Sequence, residues 1–367
     1  MENSSRDWSS FPDHLLATIA DRLPTRIDTL RFRAVCTSFR AALPPPPPPN
    51  PYSDIHYFHH SPTSNSPIHF FIAQSTVYAI QPLSQISHPH HTPGAWLVKV
   101  EDSPSGDVKL LDPFYTSQVK NVSDKLPGSF NLLDYRVKEI SKGYRLELAT
   151  DQQRELSRSE RCYTGKVVVS ADEDDDDDEF AIMVLIQEKV VVYGKEEITN
   201  GTISISYKDR TLCVDPKSLN VSEPVAPLRI SRIRAASSFH LVKSSPDLFL
   251  IRKNYFSGKS GDRGCRVGLN IFKLDEGKDE WVTVKDELQD RALFMFKECN
   301  FFLSAQEFSG LKWNCVYLPD RVRPNVDGDY PGSNAVIFSL ENGCADKLSA
   351  FPGFSEIFWP PPSWLFS

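Results

Sequence analysis

Hydrophobic and polar positions change their period once along this chain. In "FPDHLLATIADRLP", residues 11–24, Leu15, Leu16, Ile19 and Leu23 recur at helical spacing. At 3.6 residues per turn they fall within roughly 100° of one another. Pro12 suits a first helical turn, where its missing N–H costs nothing, and Pro24 stops the helix. Asp28 is placed to cap a second helix, "TLRFRAVC", and Thr37 a third, "TSFRAAL". From residue 52 onward the pattern turns to period two and to β-formers. The predicted strands are "IHFFIAQ", "TVYAI", "AWLVKV", "VKLLD", "YRLELA", "GKVVVS", "FAIMVLI", "KVVVYG", "TISISY", "RTLCVD", "LFLIRK", "RVGLNIFKL", "WVTV", "FFLSA", "CVYLP" and "AVIFSL". So many short strands, separated by turns such as "SPSG" and "DEGKDE", point to a sandwich, a barrel or a propeller, and their number favours the propeller. No internal repeat of propeller-blade length is visible, so the pattern leaves blade number open.

Between the two regimes lies "LPPPPPPNP", residues 43–51, a semi-rigid polyproline spacer. The predicted organisation is a helical module at 7–43, a linker at 44–51 and a mainly β domain at 52–367, with an acidic disordered insertion at 171–179. The eight adjacent acids "DEDDDDDE" of that insertion repel one another and stay solvated. Three short helices bury little by themselves, and a unit this small needs a partner, a metal or a disulfide. A partner is the expected remedy, since burying each leucine contributes ~1.5–3 kcal/mol. The spacer argues against close docking of the helices on the chain's own β body.

Composition narrows the function. Hydrophobic residues make up 40% of 367, with 23 Phe, enough for a packed core, and 28 Pro suit a turn-rich β fold. A net charge of −7 disfavours nucleic acid and anionic membrane as partners. The densest basic stretch, "LRISRIRAA" with Arg229, Arg232 and Arg234, reads as an exposed strand face. Cysteines at 36, 162, 213, 265, 299, 315 and 344 show no C-x-x-C spacing and read as reduced, mostly buried thiols. The polar N-terminus carries no apolar leader, and "FAIMVLI" is too short to span a bilayer. The expected location is the nucleus, the cytoplasm or both.

Catalytic patterns are missing from the sequence. "HPHH", residues 88–91, sits in a Pro/Ser-rich stretch without metal-ligand spacing. "SGKSGDRG", residues 257–264, lacks the first glycine of a phosphate loop, because Lys253 occupies that position. There is no nucleophile elbow and no H-E-x-x-H. The expected protein is non-catalytic, with no metal and no cofactor. The bulky aromatics Tyr255, Phe256, Trp313 and Trp359 are read as core or strand-edge packing.

Residues 8–43 resemble an F-box, through Phe11-Pro12-Asp13, Leu15-Leu16, Ile19, Leu23-Pro24, Leu30, Val35-Cys36 and Phe39, the last replacing the commoner Trp. The remainder resembles a plant family that joins an F-box to a C-terminal domain of unknown function, number 295, described as β-propeller-like. The matching stretches include "GAWLVKVEDSPSGDVKLLDP" (94–113), "LPGSFNLLDYRVKEI" (126–140), "FHLVKSSPDLFLIRKNYF" (239–256), "IFKLDEGKDEWVTVKDELQDRALFM" (271–295), "FFLSAQEFSGLKWNCVYLPD" (301–320) and "WPPPSWLFS" (359–367). Residues 141–200 depart from the pattern through the acidic insertion. The resemblance implies a substrate-receptor subunit of an SCF (Skp–cullin–F-box) ubiquitin ligase. It implies that Phe11, Pro12, Leu15, Leu16, Ile19, Leu23, Val35 and Cys36 contact a Skp-type adaptor on the cullin core. The β domain would hold a target protein whose identity the sequence does not give. An alternative is an adaptor-binding regulator that acts without target degradation.

Overall fold

The computed structural model describes residues 11–23, 26–43, 56–60, 67–83, 94–102, 108–115, 126, 131, 133–148, 166–171, 180–186, 189–194, 203–207, 210–214, 221–222, 237–244, 246–255, 267–284, 288–308, 311–320, 331–332, 335–351 and 357–359. The polyproline stretch 44–51, "HPHH", the acidic run 172–179, "LRISRIRAA", "SGKSGDRG" and Phe256 lie outside them.

Three helices come first: α1 Asp13–Ala20, α2 Arg26–Val35 and α3 Thr37–Ala42. Pro12 sits at the N-cap of α1 with extended ψ (136°), one position ahead of the first turn. Asp28 does not cap α2. The helix begins at Arg26, and Asp28 lies in its first turn, paired with Arg31 at 3.6 Å. Thr37 is the first helical residue of α3 rather than its cap, and extended Cys36 takes the cap position. The earlier start of α2 brings Ile27 onto the helix, where it meets the β body.

The strands are β1 His56–His60, β2 Pro67–Pro82, β3 Trp96–Asp102, β4 Val108–Leu111, β5 Tyr135–Leu148, β6 Lys166–Ala171, β7 Phe180–Ile186, β8 Lys189–Gly194, β9 Ile203–Tyr207, β10 Arg210–Val214 and β11 Val221–Ser222. There follow β12 Ser237–Ser244, β13 Asp247–Tyr255, β14 Val267–Asp275, β15 Glu280–Val284, β16 Arg291–Met295, β17 Asn300–Ser304, β18 Cys315–Pro319, β19 Ala335–Ser339 and β20 Ala345–Lys347. Among the described residues they form five sheets: β1 to β5, with β5 on β2; β6-β7-β8; β9-β10-β11; β12-β13-β14-β15; and β17-β16-β18-β19-β20. One edge strand of each sheet touches the next in the order β5, β6, β9, β12, β17 and back to β5. The sheets therefore stand around a ring with these five strands innermost, as blades of a propeller.

The absence of a visible repeat has a structural cause. The second and third sheets have three strands, while the first is built on two long strands, β2 and β5, paired along their length with a bulge at Val77/Tyr78. The last sheet contains a parallel pair, β16 with β18. Two predicted strands, "IHFFIAQ" and "TVYAI", are one strand, β2, because β5 pairs across both.

The last sheet is packed on both faces. One face carries Leu293, Met295, Val316, Leu318, Val336 and Phe338 against Phe249, Ile251 and Ile271 of the fourth sheet. The other carries Phe294, Phe301, Tyr317 and Ile337 against Val77, Ala79 and Leu97 of the first. This gives β16, "RALFM", and β18, "CVYLP", the near-continuous burial expected of a strand covered on two sides. Phe294 stacks on both of its cross-strand partners, 5.4 Å from Phe301 and 4.5 Å from Tyr317.

The described C-terminal residues 357–359 complete this joint. Phe358 meets Phe114 edge-on at 5.2 Å and Phe294 at 6.2 Å. The Leu97 N–H donates to Ile357 O at 2.8 Å, and Trp96 Nε1 donates to Phe358 O at 3.0 Å. Gly332 has φ of +78° and lies so close that a Cβ would sit 3.0 Å from the Phe358 ring. Its N–H donates to the buried Asp112 carboxylate (3.0 Å), which also accepts from Phe114 N (2.9 Å) and Tyr115 N (3.1 Å). Burial pushes the Asp112 carboxyl above its usual range, and these three N–H bonds oppose the shift. Trp359 is buried at the same place, in line with its reading as packing, whereas Trp313 is 59% exposed.

Cys299 and Cys315 are buried in the joint, and burial raises their thiols to about 11 and about 12. Cys344 is exposed.

Two outcomes are expected. In urea titration, Phe358→Ala lowers the unfolding free energy by about 3–5 kcal/mol, while the exposed Trp313→Ala changes it by less than about 0.5 kcal/mol. With iodoacetamide near pH 8 and mass spectrometry as readout, Cys344 is alkylated in the native protein. Cys299 and Cys315 resist until denaturant is added, because almost none of either is thiolate.

Candidate functional site

The helical module builds a small core of its own from Leu16, Ala20, Phe32 and Phe39. The Phe32 and Phe39 rings lie 4.6 Å apart, so Phe39 fills an aromatic position against α2. Phe11, Leu23 and Cys36 pack on the rim of this core and stay half-buried. Arg33 locks α2 to α3: its Nη1 donates to Leu43 O (2.6 Å) and Arg40 O (3.2 Å), carbonyls left open at the end of α3. Asp13 lies in the first turn of α1, where a carboxylate suits the positive end of the helix dipole.

The eight residues expected to face an adaptor therefore divide. Leu16 is fully buried inside the module and offers no surface. Phe11, Leu23 and Cys36 serve mainly as its packing rim. Pro12, Leu15, Ile19 and Val35 are exposed, the last three at 40%, 41% and 50%. Pro12, Leu15 and Ile19 follow the i, i+3, i+7 line of α1 and make one apolar stripe. Neighbouring leucines have opposite duties because successive helical residues point about 100° apart. The pattern "LL" alone does not say which is which.

The sequence singles out no site in the propeller, yet the structure gathers a largely buried charged cluster there. Lys99 of β3 pairs with Glu298 in the β16–β17 turn, both nearly inaccessible to water. Arg145 of β5 pairs with Glu101 and Glu147. Burial works against the Arg145 charge, but Glu147 and Glu101 outweigh it and hold the guanidinium protonated. A Cβ on Gly143 would stand 2.7 Å from Glu298 Cβ, so glycine lets the first and last sheets meet at this point. Lys99 and Glu101 share one side of β3 with apolar Leu97, a mixed face that was the available signal. The cluster is internally paired at the joint between two blades, and its chemistry is that of a polar joint. Among the described residues no group of three metal-ligating side chains comes together.

Residues 69–339 match the family model described as the KIB1-4 beta-propeller, and the chain belongs to that family. Over nearly its whole length it is also similar to Arabidopsis thaliana proteins. It is 23% identical to F-box protein SKIP23 over 410 residues, covering 98% of this chain and 96% of that protein. It is 23% identical to F-box protein At2g17036 over 414 residues, covering 98% and 95%. The chain is thus a mainly β protein with a small helical module ahead of a propeller, of the kind found in plant F-box proteins. The description of the matching family does not carry the number 295.

The division of the apolar residues has a measurable consequence. Leu16→Ala destabilises the helical module by about 2–5 kcal/mol. Ile19→Asp leaves its stability within about 0.5 kcal/mol, because that side chain already faces water. Hydrogen exchange of the α1 and α3 amides distinguishes the two.

Proposed function

We propose that this chain is the substrate-recognition subunit of an SCF-type ubiquitin ligase. Its F-box binds a Skp-type adaptor on the cullin core, and its propeller holds a target protein for ubiquitination. The observation that carries this reading is the stripe of Pro12, Leu15 and Ile19, exposed on a module whose own core is already filled. Exposed apolar residues in line on a short helix fit a partner's apolar groove, each contributing ~1.5–3 kcal/mol on full burial. The family match and the full-length similarity to F-box proteins support the same reading. The chain would supply position rather than bond chemistry, working in the nucleus or the cytoplasm.

The test uses Leu15→Asp/Ile19→Asp, which spares the buried Leu16. Calorimetric titration of the intact chain with purified Skp-type adaptors should show binding that the double variant loses, because an unpaired carboxylate in a dry interface costs several kcal/mol. An unchanged melting curve shows that the variant is folded. Failure of the intact chain to bind any of several adaptor paralogues would remove the ligase reading.

A further inference from the structure

The polyproline stretch in the sequence suggests a spacer that holds the helices away from the β body. The structure brings them together. Ile27, in the first turn of α2, packs on a cluster formed by Ile80, Trp96, Val98, Tyr135 and Val137 on the first sheet. One turn further along the helix, Arg31 Nη2 donates to Tyr135 O at 2.7 Å. Asp28, facing the same guanidinium at 3.6 Å, steadies it.

Strand geometry explains why that carbonyl is within reach. The Leu83 N–H donates to Asp134 O, so Asp134 turns its carbonyl toward β2. Along a strand consecutive carbonyls alternate, and the next one, that of Tyr135, points away from β2. β5 is the innermost strand of its sheet, with no hydrogen-bonded strand on that side among the described residues. A carbonyl at such an edge draws its donor from outside the sheet, and a charged donor is the stronger kind. Arg31 is that donor. Ile27 meanwhile covers the apolar face of β2, β3 and β5 turned away from the last sheet.

We propose that this seat, rather than the proline stretch, fixes the angle between the adaptor and the propeller. Ile27 and Arg31 are positioning residues, and the helical module and the first sheet move as one body. The docked residues leave the α1 stripe of Leu15 and Ile19 exposed, so the seat and adaptor binding use different faces. The proposal rests on the ligase reading for its purpose but not for its test. A spacer limits how far two units can separate and does not prevent them from touching.

The experiment is small-angle X-ray scattering on the full chain, without adaptor. Four proteins are compared: wild type, Ile27→Asp/Arg31→Ala, Arg31→Ala and Arg31→Lys. The wild type and Arg31→Lys, which keeps a cationic donor, should give one compact pair-distance distribution. The double variant should gain a tail at long distances, and Arg31→Ala a smaller one. Adaptor affinity, titrated in parallel, should stay within about twofold in all four. A wild type that already shows the long tail would overturn the proposal, as would a double variant that superimposes on the wild type. If the double variant unfolds its helices, seen as lost helical circular dichroism, Arg31→Ala decides alone, since Arg31 is not a member of the helical core. Absence of adaptor binding in the wild type would defeat the ligase reading, and the scattering curves would still decide whether the seat holds.

Discussion

Everything in the propeller depends on one joint, the packing of the last sheet against the first. A ring of sheets has no free end only if its final blade finds its first, and here the last sheet presents an aromatic cluster to Val77, Ala79 and Leu97 of the first and to Phe114 beyond β4. Phe294 is stacked between Phe301 and Tyr317 across three adjacent strands, and Phe358 closes the cluster edge-on. Stacked and edge-on arrangements are those that ring quadrupoles favour. Apolar packing has no direction of its own, and the joint gains its register from a few buried polar bonds. Trp96 reaches the Phe358 carbonyl, and Asp112 gathers three backbone N–H groups from two distant segments. Each of these groups would be an unsatisfied buried atom without the others.

The charged cluster beside the joint has a related role. Lys99–Glu298 is a buried pair between the two sheets, of a kind that rarely adds net stability over apolar packing, while Arg145 pairs with buried Glu101 and partly exposed Glu147 within the first sheet. The Lys99–Glu298 pair does penalise any other seating of the last sheet on the first, since a shift would bury a lone charge. Gly143 is the complementary device, because only a residue without a side chain permits the approach of Glu298.

The helical module shows how a short sequence serves two surfaces. Leu16 and Phe39 hold three helices together, while Leu15 and Ile19, a fraction of a turn away, stay outside. α2 adds a third duty through Ile27 and Arg31, which bind the module to the first sheet. A unit of about this size has little interior, so its surfaces are shared among its own core, the propeller and solvent.

Local pattern by itself determined a good deal. The helical period of residues 11–24 and the alternation after residue 52 are properties of neighbouring residues, and they sufficed for three helices and for most strands. The F-box resemblance also pointed to the stretch of chain that carries the apolar stripe. What it could not supply was the assignment of Leu15 outward and Leu16 inward. Both belong to the same apolar arc, and only the positions of α2 and α3 decide between them. The strands β1, β11, β12, β16 and β20 carry no strand pattern of their own, and β16 is almost wholly buried, so it has no polar alternation to betray it. Pattern alone yields only shorter pieces of β2 and β5, because their length is set by each other across the sheet. The five-sheet ring, the Lys99–Glu298 pair and the Arg31–Tyr135 seat join residues more than a hundred positions apart in several cases. Such contacts leave no trace in local composition. They follow from the closure of the ring, which only the tertiary structure decides.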